Sequence, residues 1–367
     1  MFPPLAHGYS SATCLLGADR LFPPLGPSAS MRRLGGESER GAILNSANER
    51  SITLVGRRVP VSCALGLIAA TITWLVIVAW CAPYGRWPGT AMEAHAYWVA
   101  LGGSDPYAIA SVGHPDAYLY SPAFLQLLWP LRLLSWPGFV AVWALFPLVA
   151  LAYLTGPRLF LLGLALVFTE VVGGNIELLI GVAIVVGFRW PAAWSFVLLT
   201  KVTPGLGLLW FVLRREWRSL AVAMAATAVV VAVSAAIEPA AWLRWPQVLA
   251  SNTGASDGTW AAVPVPFIVR SPMALVLVVW GARTDRRWTV PMSAMLALPV
   301  LWFGGLSIII ATLPLMGART WGDLWCVAAQ ARAEVKASLS IESLGRLSSK
   351  TPWRRRRRSA EPAMPAD

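Results

Sequence analysis

The chain has 367 residues, of which 57% are hydrophobic and only 13% charged. So few charges cannot cover the surface of a soluble protein of this size, and repeated apolar runs of near-membrane length indicate a polytopic helical membrane protein. The net charge of +12 rests almost entirely on Arg; in a membrane protein such an excess marks the cytoplasmic side and does not call for a nucleic-acid partner.

Residues 1–58 contain Gly, Ser, Pro and Arg without a long apolar stretch before a cleavage site, which predicts a disordered cytoplasmic tail and no signal peptide. The first span is expected from Val61 to about Ala82. Arg57 and Arg58 precede it, so the N-terminus is expected in the cytoplasm. The next segment, Pro83 to Asp116, sets Glu93, Asp105 and Asp116 against a single Arg86, a balance suited to the outer face. Further apolar runs cover Leu119–Leu134, Phe139–Leu154, Leu159–Val172, Ile176–Phe188, Ala192–Leu213, Leu220–Ile237, Val263–Gly281, Val290–Phe303 and Gly304–Leu315.

These runs predict an all-α bundle of about ten transmembrane helices, within a range of about eight to twelve, because several are shorter than the roughly 20 residues a perpendicular crossing needs. With ten spans, Arg214, Arg215 and Arg218, then Arg283, Arg286 and Arg287, and finally Arg354–Arg358 all fall on the cytoplasmic side. Glu238–Ala262, with Trp242, Trp245 and Trp260, becomes a second outer loop. Many of the 20 Trp sit at run ends, as interfacial belts require. The pattern divides the chain into the tail at 1–58, a multi-span domain at 59–316 and a basic cytoplasmic tail at 317–367, in which Ala331–Lys350 is weakly helical. Cys14, Cys63, Cys81 and Cys326 show no CxxC spacing and indicate neither a zinc site nor a disulfide framework.

Ionisable groups inside the apolar runs stand out, since each costs roughly 2.5–3.5 kcal/mol in hydrocarbon. Lys201 interrupts "WSFVLLTKVTPGLGLLWFVL", and Glu170 and Glu177 flank "VVGGN". Lys201 next to the backbone gap left by Pro204 is a candidate anion contact, with a lipid phosphate as the natural anion at that depth. Gly205 and Gly207 make no phosphate loop and suit close helix packing. In the first outer loop, "GTAMEAHAYWVAL" places Glu93 and Tyr97 on one helical face, and His95 about 200° around from Glu93. Asp105, His114 and Asp116 are the other polar groups of that loop, and Asp105-Pro106-Tyr107 has the form of a turn.

The carboxylate four residues before Tyr97-Trp98, "GGSDPY", "DAYLYSPAF", "TEVVGGNIELLIGVAIV" and "LLTKVTPGLGLLWFVLRREWR" occur in an order that resembles glycosyltransferase family 87. This is a group of polyprenyl-phosphate-mannose-dependent mannosyltransferases in the GT-C superfamily that includes those of phosphatidylinositol mannoside synthesis. The resemblance runs from about Ala82 to Trp245 and more weakly, in apolar pattern, to about Leu315.

The resemblance implies a plasma-membrane, multi-pass enzyme with both termini cytoplasmic and a GT-C-like active-site loop after the first span. Its donor would be a polyprenyl-phosphate sugar, with mannose as the expected hexose, and its acceptor a lipid or lipoglycan hydroxyl. It implies Glu93 as catalytic base, with His95, Tyr97, Asp116, Tyr118, Tyr120, Asn175 and Lys201 as substrate-binding groups. One base and one displacement invert the anomeric centre, whereas retention needs a second, nucleophilic carboxylate. No resident cofactor is implied, and the sequence has no DxD-type cluster for a metal. Two departures from the family pattern are Glu93 where Asp is usual and Glu177 where a neutral residue or His is usual. Two other readings stay open: a lipid or solute transporter, given the many spans and Lys201, and a catalytically weakened family member, given Glu93.

Overall fold

The computed structural model describes residues 51–54, 57–84, 90–110, 114–252 and 265–348. Most of the N-terminal tail, Arg86, Trp260 and the Arg354–Arg358 run lie outside them. The chain divides into two compact units between Arg319 and Thr320.

The first unit starts with an antiparallel hairpin of β1 (Ser51–Leu54) and β2 (Arg57–Pro60), with Ser51 opposite Pro60. Pro60 then starts α1 (Val61–Cys81). At 21 residues α1 is about 32 Å long, close to the roughly 30 Å hydrocarbon thickness. A helix with apolar side chains on all faces in a small bundle must meet lipid on one side. Leu65, Ile68, Ile72 and Leu75 are accordingly exposed, while Cys63, Gly66, Ile77 and Cys81 are buried.

After α1 come α2 (Met92–Gly102), α3 (Pro122–Leu127), a 3-10 turn at Trp129–Leu133 and α4 (Trp136–Trp143). Two indoles tie α1 to α4. Trp74 Nε1 donates to Ala141 O at 2.7 Å, and Trp136 Nε1 donates to Cys81 O at 2.9 Å. The second closes a helix-end carbonyl that would otherwise lack a donor.

Next is α5 (Leu145–Leu166), which is not one straight helix. Gly156 adopts φ 68° and ψ 173° ahead of Pro157, and the chain folds back there. A straight helix would separate Thr155 from Gly163 by about 12 Å and Leu151 from Gly163 by about 18 Å. Instead, a Cβ on Gly163 would lie 2.6 Å from Thr155 Cγ2 and 3.0 Å from Leu151 Cδ1. The two legs therefore pack against each other, and Gly163 leaves room for the contact. Arg319 closes the turn by donating to Tyr153 O at 2.6 Å and Leu154 O at 3.0 Å.

The rest of the unit comprises α6 (Phe168–Gly173), α7 (Glu177–Gly187), α8 (Trp194–Thr200) and α9 (Leu209–Leu213), then α10 (Trp217–Ile237) and α11 (Pro239–Asn252). It ends with α12 (Phe267–Thr284), α13 (Thr289–Leu296), a 3-10 segment at Gly304–Ala311 and α14 (Thr312–Leu315). Arg270 is buried and makes four bonds to carbonyls: Nε to Val265 at 2.8 Å, Nη1 to Leu296 at 3.0 Å and Leu298 at 2.7 Å, and Nη2 to Pro299 at 2.8 Å. It thereby anchors the chain leaving α13.

The expectation of ten transmembrane helices needs correction. Among the described residues four helical stretches are long and apolar enough to cross a membrane: Val61–Cys81, Trp136–Leu166, Trp217–Ile237 and Phe267–Thr284. The second of these is the folded-back hairpin. Pro and Gly break the other apolar runs into shorter pieces, among them Glu177–Gly187, Pro191–Thr200, Thr203–Leu213 and Gly304–Leu315. Lys201 leaves helical geometry at φ −134° and ψ 110°, and Pro204, Gly205 and Gly207 hold the next segment as a 3-10 turn. Irregular backbone at membrane depth is tolerated where protein surrounds it. Consistently, a Cβ on Gly207 would come within 2.5 Å of Trp194 and 2.9 Å of Val290.

In the second unit α15 (Trp321–Ser348) starts ten residues before the weak helical pattern at Ala331. Its first turn is a reciprocal cap in which Thr320 N donates to Asp323 Oδ2 at 2.7 Å and Asp323 N to Thr320 Oγ1 at 3.2 Å.

The fold-back predicts a specific cross-link. A Cβ on Gly163 lies 3.6 Å from Thr155 Cβ, within the roughly 3.5–4.5 Å range of disulfides. The double variant T155C/G163C should form this disulfide under mild oxidation, detected as the loss of two hydrogens by mass spectrometry. A continuous helix would leave both thiols reduced.

Candidate active site

Ala91, at φ 51°, starts α2, and its N–H donates to Val172 O at 2.8 Å. This bond brings the first turn of α2 against the "VVGGN" bend. There Gly174 adopts φ 72°, and a Cβ on it would lie 2.7 Å from Ala94 Cβ. Trp143 Nε1 donates to Gly174 O at 2.6 Å. The bend therefore needs glycine twice over, for its left-handed backbone and for the approach of α2.

On one face of α2, Glu93 is half-buried and its Oε2 accepts from the Tyr120 hydroxyl at 3.4 Å. The Tyr97 hydroxyl donates to Tyr120 Oη at 3.1 Å. The i, i+4 pair is thus bridged by one phenol from the segment before α3. That segment is pinned by Tyr107 Oη donating to Tyr120 O at 2.8 Å and Trp245 Nε1 donating to Leu119 O at 3.2 Å. Tyr118 is buried and donates to Ser121 O at 2.9 Å.

Across from Glu93, Lys201 at the end of α8 is ion-paired with Glu177 at the start of α7. The Lys201 ammonium also sits 5.8 Å from the Tyr120 ring centroid. Lys201 is therefore not the free cation that its position in the sequence suggests. Glu170 is buried, and its Oε1 accepts from the backbone N–H of Glu177 at 2.8 Å and of Leu178 at 3.4 Å. It caps α7, where a carboxylate also meets the positive end of the helix dipole. Glu170 Oε2 and Glu177 Oε2 are buried without a hydrogen-bond partner among the described residues. Asn175 is occupied by the bend itself, its Oδ1 accepting from Ile176 N at 2.9 Å. Gly304 closes the floor, since a Cβ there would lie 2.4 Å from Glu170 Oε2 and 3.0 Å from Asn175 Nδ2.

Burial chiefly, with the nearby Glu177 charge, pushes the Glu93 carboxyl above its ordinary range, while Lys201 and the Tyr120 hydroxyl pull it down. A carboxylate with a raised pKa is a stronger base when ionised, which suits proton abstraction.

The opposite face of α2 carries a second polar centre. His95 Nδ1 lies 2.6 Å from Asp116 Oδ1, and the Tyr84 hydroxyl donates to the same oxygen at 3.2 Å. Tyr84 stacks on His95 with centroids 3.4 Å apart, and Trp136 meets the imidazole edge-on at 5.0 Å. Burial and the Asp116 charge push the Tyr84 hydroxyl up to about 12, so it remains a donor. Asp105 turns the loop, accepting from Tyr107 N at 3.2 Å, and pairs with Arg244.

The structure thus gathers Glu93, Tyr97, Tyr120 and Lys201 in one cluster with Asn175 in its supporting bend, and sets His95 and Asp116 in another. Tyr118 is packed beside the first. Glu170 and Glu177 belong to the first cluster; their signal in the sequence is two acids seven residues apart around Gly-Gly-Asn in an apolar run. Gly304 and Tyr84 carry no comparable signal.

Three carboxylates and an ammonium kept at the meeting of broken helices form a polar centre inside an apolar helical membrane protein. The model of glycosyltransferase family 87 matches residues 118–322, more than half of the chain, and the chain belongs to that family. It is a membrane glycosyltransferase. The matched region contains Tyr118, Tyr120, Glu170, Asn175, Glu177 and Lys201, and starts after Glu93, His95 and Asp116. Searches of curated proteins and of solved structures gave no match.

Adjacent glycines of the bend should respond differently to substitution. A Cβ on Gly173 meets nothing within 4 Å, unlike one on Gly174. Gly174→Ala should destabilise by about 1–3 kcal/mol through left-handed strain and the clash with Ala94, whereas Gly173→Ala should stay within about 0.5 kcal/mol of the parent. Thermal unfolding in detergent reads both; equal effects would remove the bend's special geometry.

Proposed function

We propose that the protein transfers a hexose, mannose, from a polyprenyl-phosphate sugar to a hydroxyl of a lipid or lipoglycan acceptor at the outer face of the plasma membrane, with Glu93 as general base. One observation carries this reading: a half-buried carboxylate on the helix after the first span, held by a phenol and facing a lysine, in a member of a glycosyltransferase family. The acidic balance of the loop around α2, with Arg57 and Arg58 ahead of the first span, supports placing Glu93 outside and the N-terminus inside.

In this mechanism the acceptor hydroxyl attacks the anomeric carbon as its proton passes to Glu93, the glycosidic bond to phosphate breaks, and polyprenyl phosphate departs with the bonding pair. The positioned carboxylate lowers the barrier by accepting the proton in the transition state. The Tyr120 hydroxyl fixes the orientation of Glu93. The exposed face of Tyr84, backed by His95 and Asp116, offers an aromatic surface for a sugar ring. Tyr97 and Tyr118 are buried and act from behind the site. The donor is a substrate, and the mechanism assigns no resident cofactor.

Membranes containing the protein should transfer labelled mannose from the lipid donor to lipid, and Glu93→Gln should lower that transfer by at least about 100-fold. Full activity in Glu93→Gln removes the base. Movement of labelled lipid across proteoliposomes without donor turnover favours a transporter instead.

The ionised form of Glu93 is the active one, so transfer should rise as pH rises through its raised pKa and fall as pH drops below it. The acid limb of kcat/KM should therefore lie above the ordinary glutamate value of about 4.3. A limb at or below that value contradicts the assignment.

A further inference from the structure

Three carboxylates share the interior cluster with one ammonium, and a free phosphate-binding lysine does not account for them. A buried ion pair is weak evidence for stability, because apolar residues of similar volume often serve a fold as well. Yet Glu177 is fully buried, one of its oxygens has no hydrogen-bond partner among the described residues, and Lys201 gives its ammonium to the other. The same ammonium faces Tyr120, whose hydroxyl donates to Glu93.

We infer that Glu177 and Lys201 form a charge pair that sets the ionisation of Glu93, with both acting as positioning residues and Lys201 held back from the donor phosphate by Glu177. The inference rests on the assignment of Glu93 as base. Lys201 favours the ionised form of Glu93 and Glu177 opposes it.

Among the described residues the charged and titratable groups around Glu93 are few. Tyr97 lies on its own helix and Tyr120 before α3. Lys201 comes from the end of α8, Glu177 from α7 and Glu170 from α6. Helix α4 supplies no titratable side chain, and Arg132 lies by the far end of α2 beside Ala100 and Leu101. His95 and Asp116 pair with each other on the opposite face. Among these groups Lys201 and Glu177 are the ones whose charges bear on Glu93 most strongly.

The experiment is the pH profile of kcat/KM for mannosyl transfer in the full-length protein. It is measured for the parent, Glu177→Gln, Lys201→Met, the double variant E177Q/K201M and Lys201→Arg, with thermal unfolding in detergent followed in parallel. Glu177→Gln removes a negative charge and leaves Lys201 unneutralised, so the acid limb should move to lower pH by about one unit or more. Lys201→Met removes the cation, so the limb should move to higher pH by a similar amount. The double variant should return close to the parent, and Lys201→Arg should keep the limb in place.

Purely structural residues would change unfolding temperature and rate without moving the limb in opposite directions. Unmoved limbs, or shifts of the same sign, in folded Glu177→Gln and Lys201→Met overturn the inference. If either single variant fails to fold, the other together with the double carries the same sign test. Loss of activity in every variant, Lys201→Arg included, at an unchanged unfolding temperature also overturns it. Retained activity in Glu93→Gln defeats the base itself, whereas an inactive Glu93→Gln with unmoved limbs in the pair variants defeats only the charge pair.

Discussion

A carboxylate buried in an apolar bundle needs a cation or a set of N–H donors, and the donors become free only where helices end. The arrangement around "VVGGN" follows from this constraint. The Glu170 side chain reaches from α6 to the start of α7 and accepts two of its backbone N–H groups. Glu177 meets Lys201, which stands where α8 stops and the backbone becomes extended. The breaks in the apolar runs and the ionisable side chains are therefore one feature. In lipid a broken helix leaves backbone groups unpaired, and an isolated charge is costly; placed together inside protein, each supplies what the other lacks.

The same constraint separates the three acids by role. Glu170 is committed to a helix end and Glu177 to a lysine, and both are sealed from the surface. Glu93 is half-buried and held by one phenol hydroxyl. It is the member of the group with both access and basicity. A membrane glycosyltransferase that used Glu93 as its one base would need no second carboxylate in covalent contact with the sugar, and the pairing of the other two keeps them out of that role.

Much of the site could be read from local periodicity. The i, i+4 spacing of Glu93 and Tyr97 and the opposite placement of His95 follow from helix geometry, and the structure shows one face bridged by Tyr120 and the other closed by Asp116. The turn at Asp105 and the packing role of Gly207 followed from residue type. The partner of Lys201 did not, because Glu177 lies 24 residues away and only the packing of α7 on α8 brings them together. Gly304 and Tyr84 act through contacts across the fold that no local pattern encodes. The span count failed for a related reason: hydropathy registers apolar content, while Pro122, Pro204, Pro299 and the turn at Gly156 decide whether that content forms a continuous helix.

The anomeric configuration of the product tests the single-base account most directly. Purified protein should be supplied with a polyprenyl-phosphate mannose of known configuration and a lipid acceptor, and the glycosidic bond of the product read by NMR. The account predicts inversion, because one carboxylate activates the acceptor for a single displacement. A product with retained configuration would require a covalent glycosyl intermediate on a second carboxylate and would contradict the roles given to Glu93, Glu170 and Glu177.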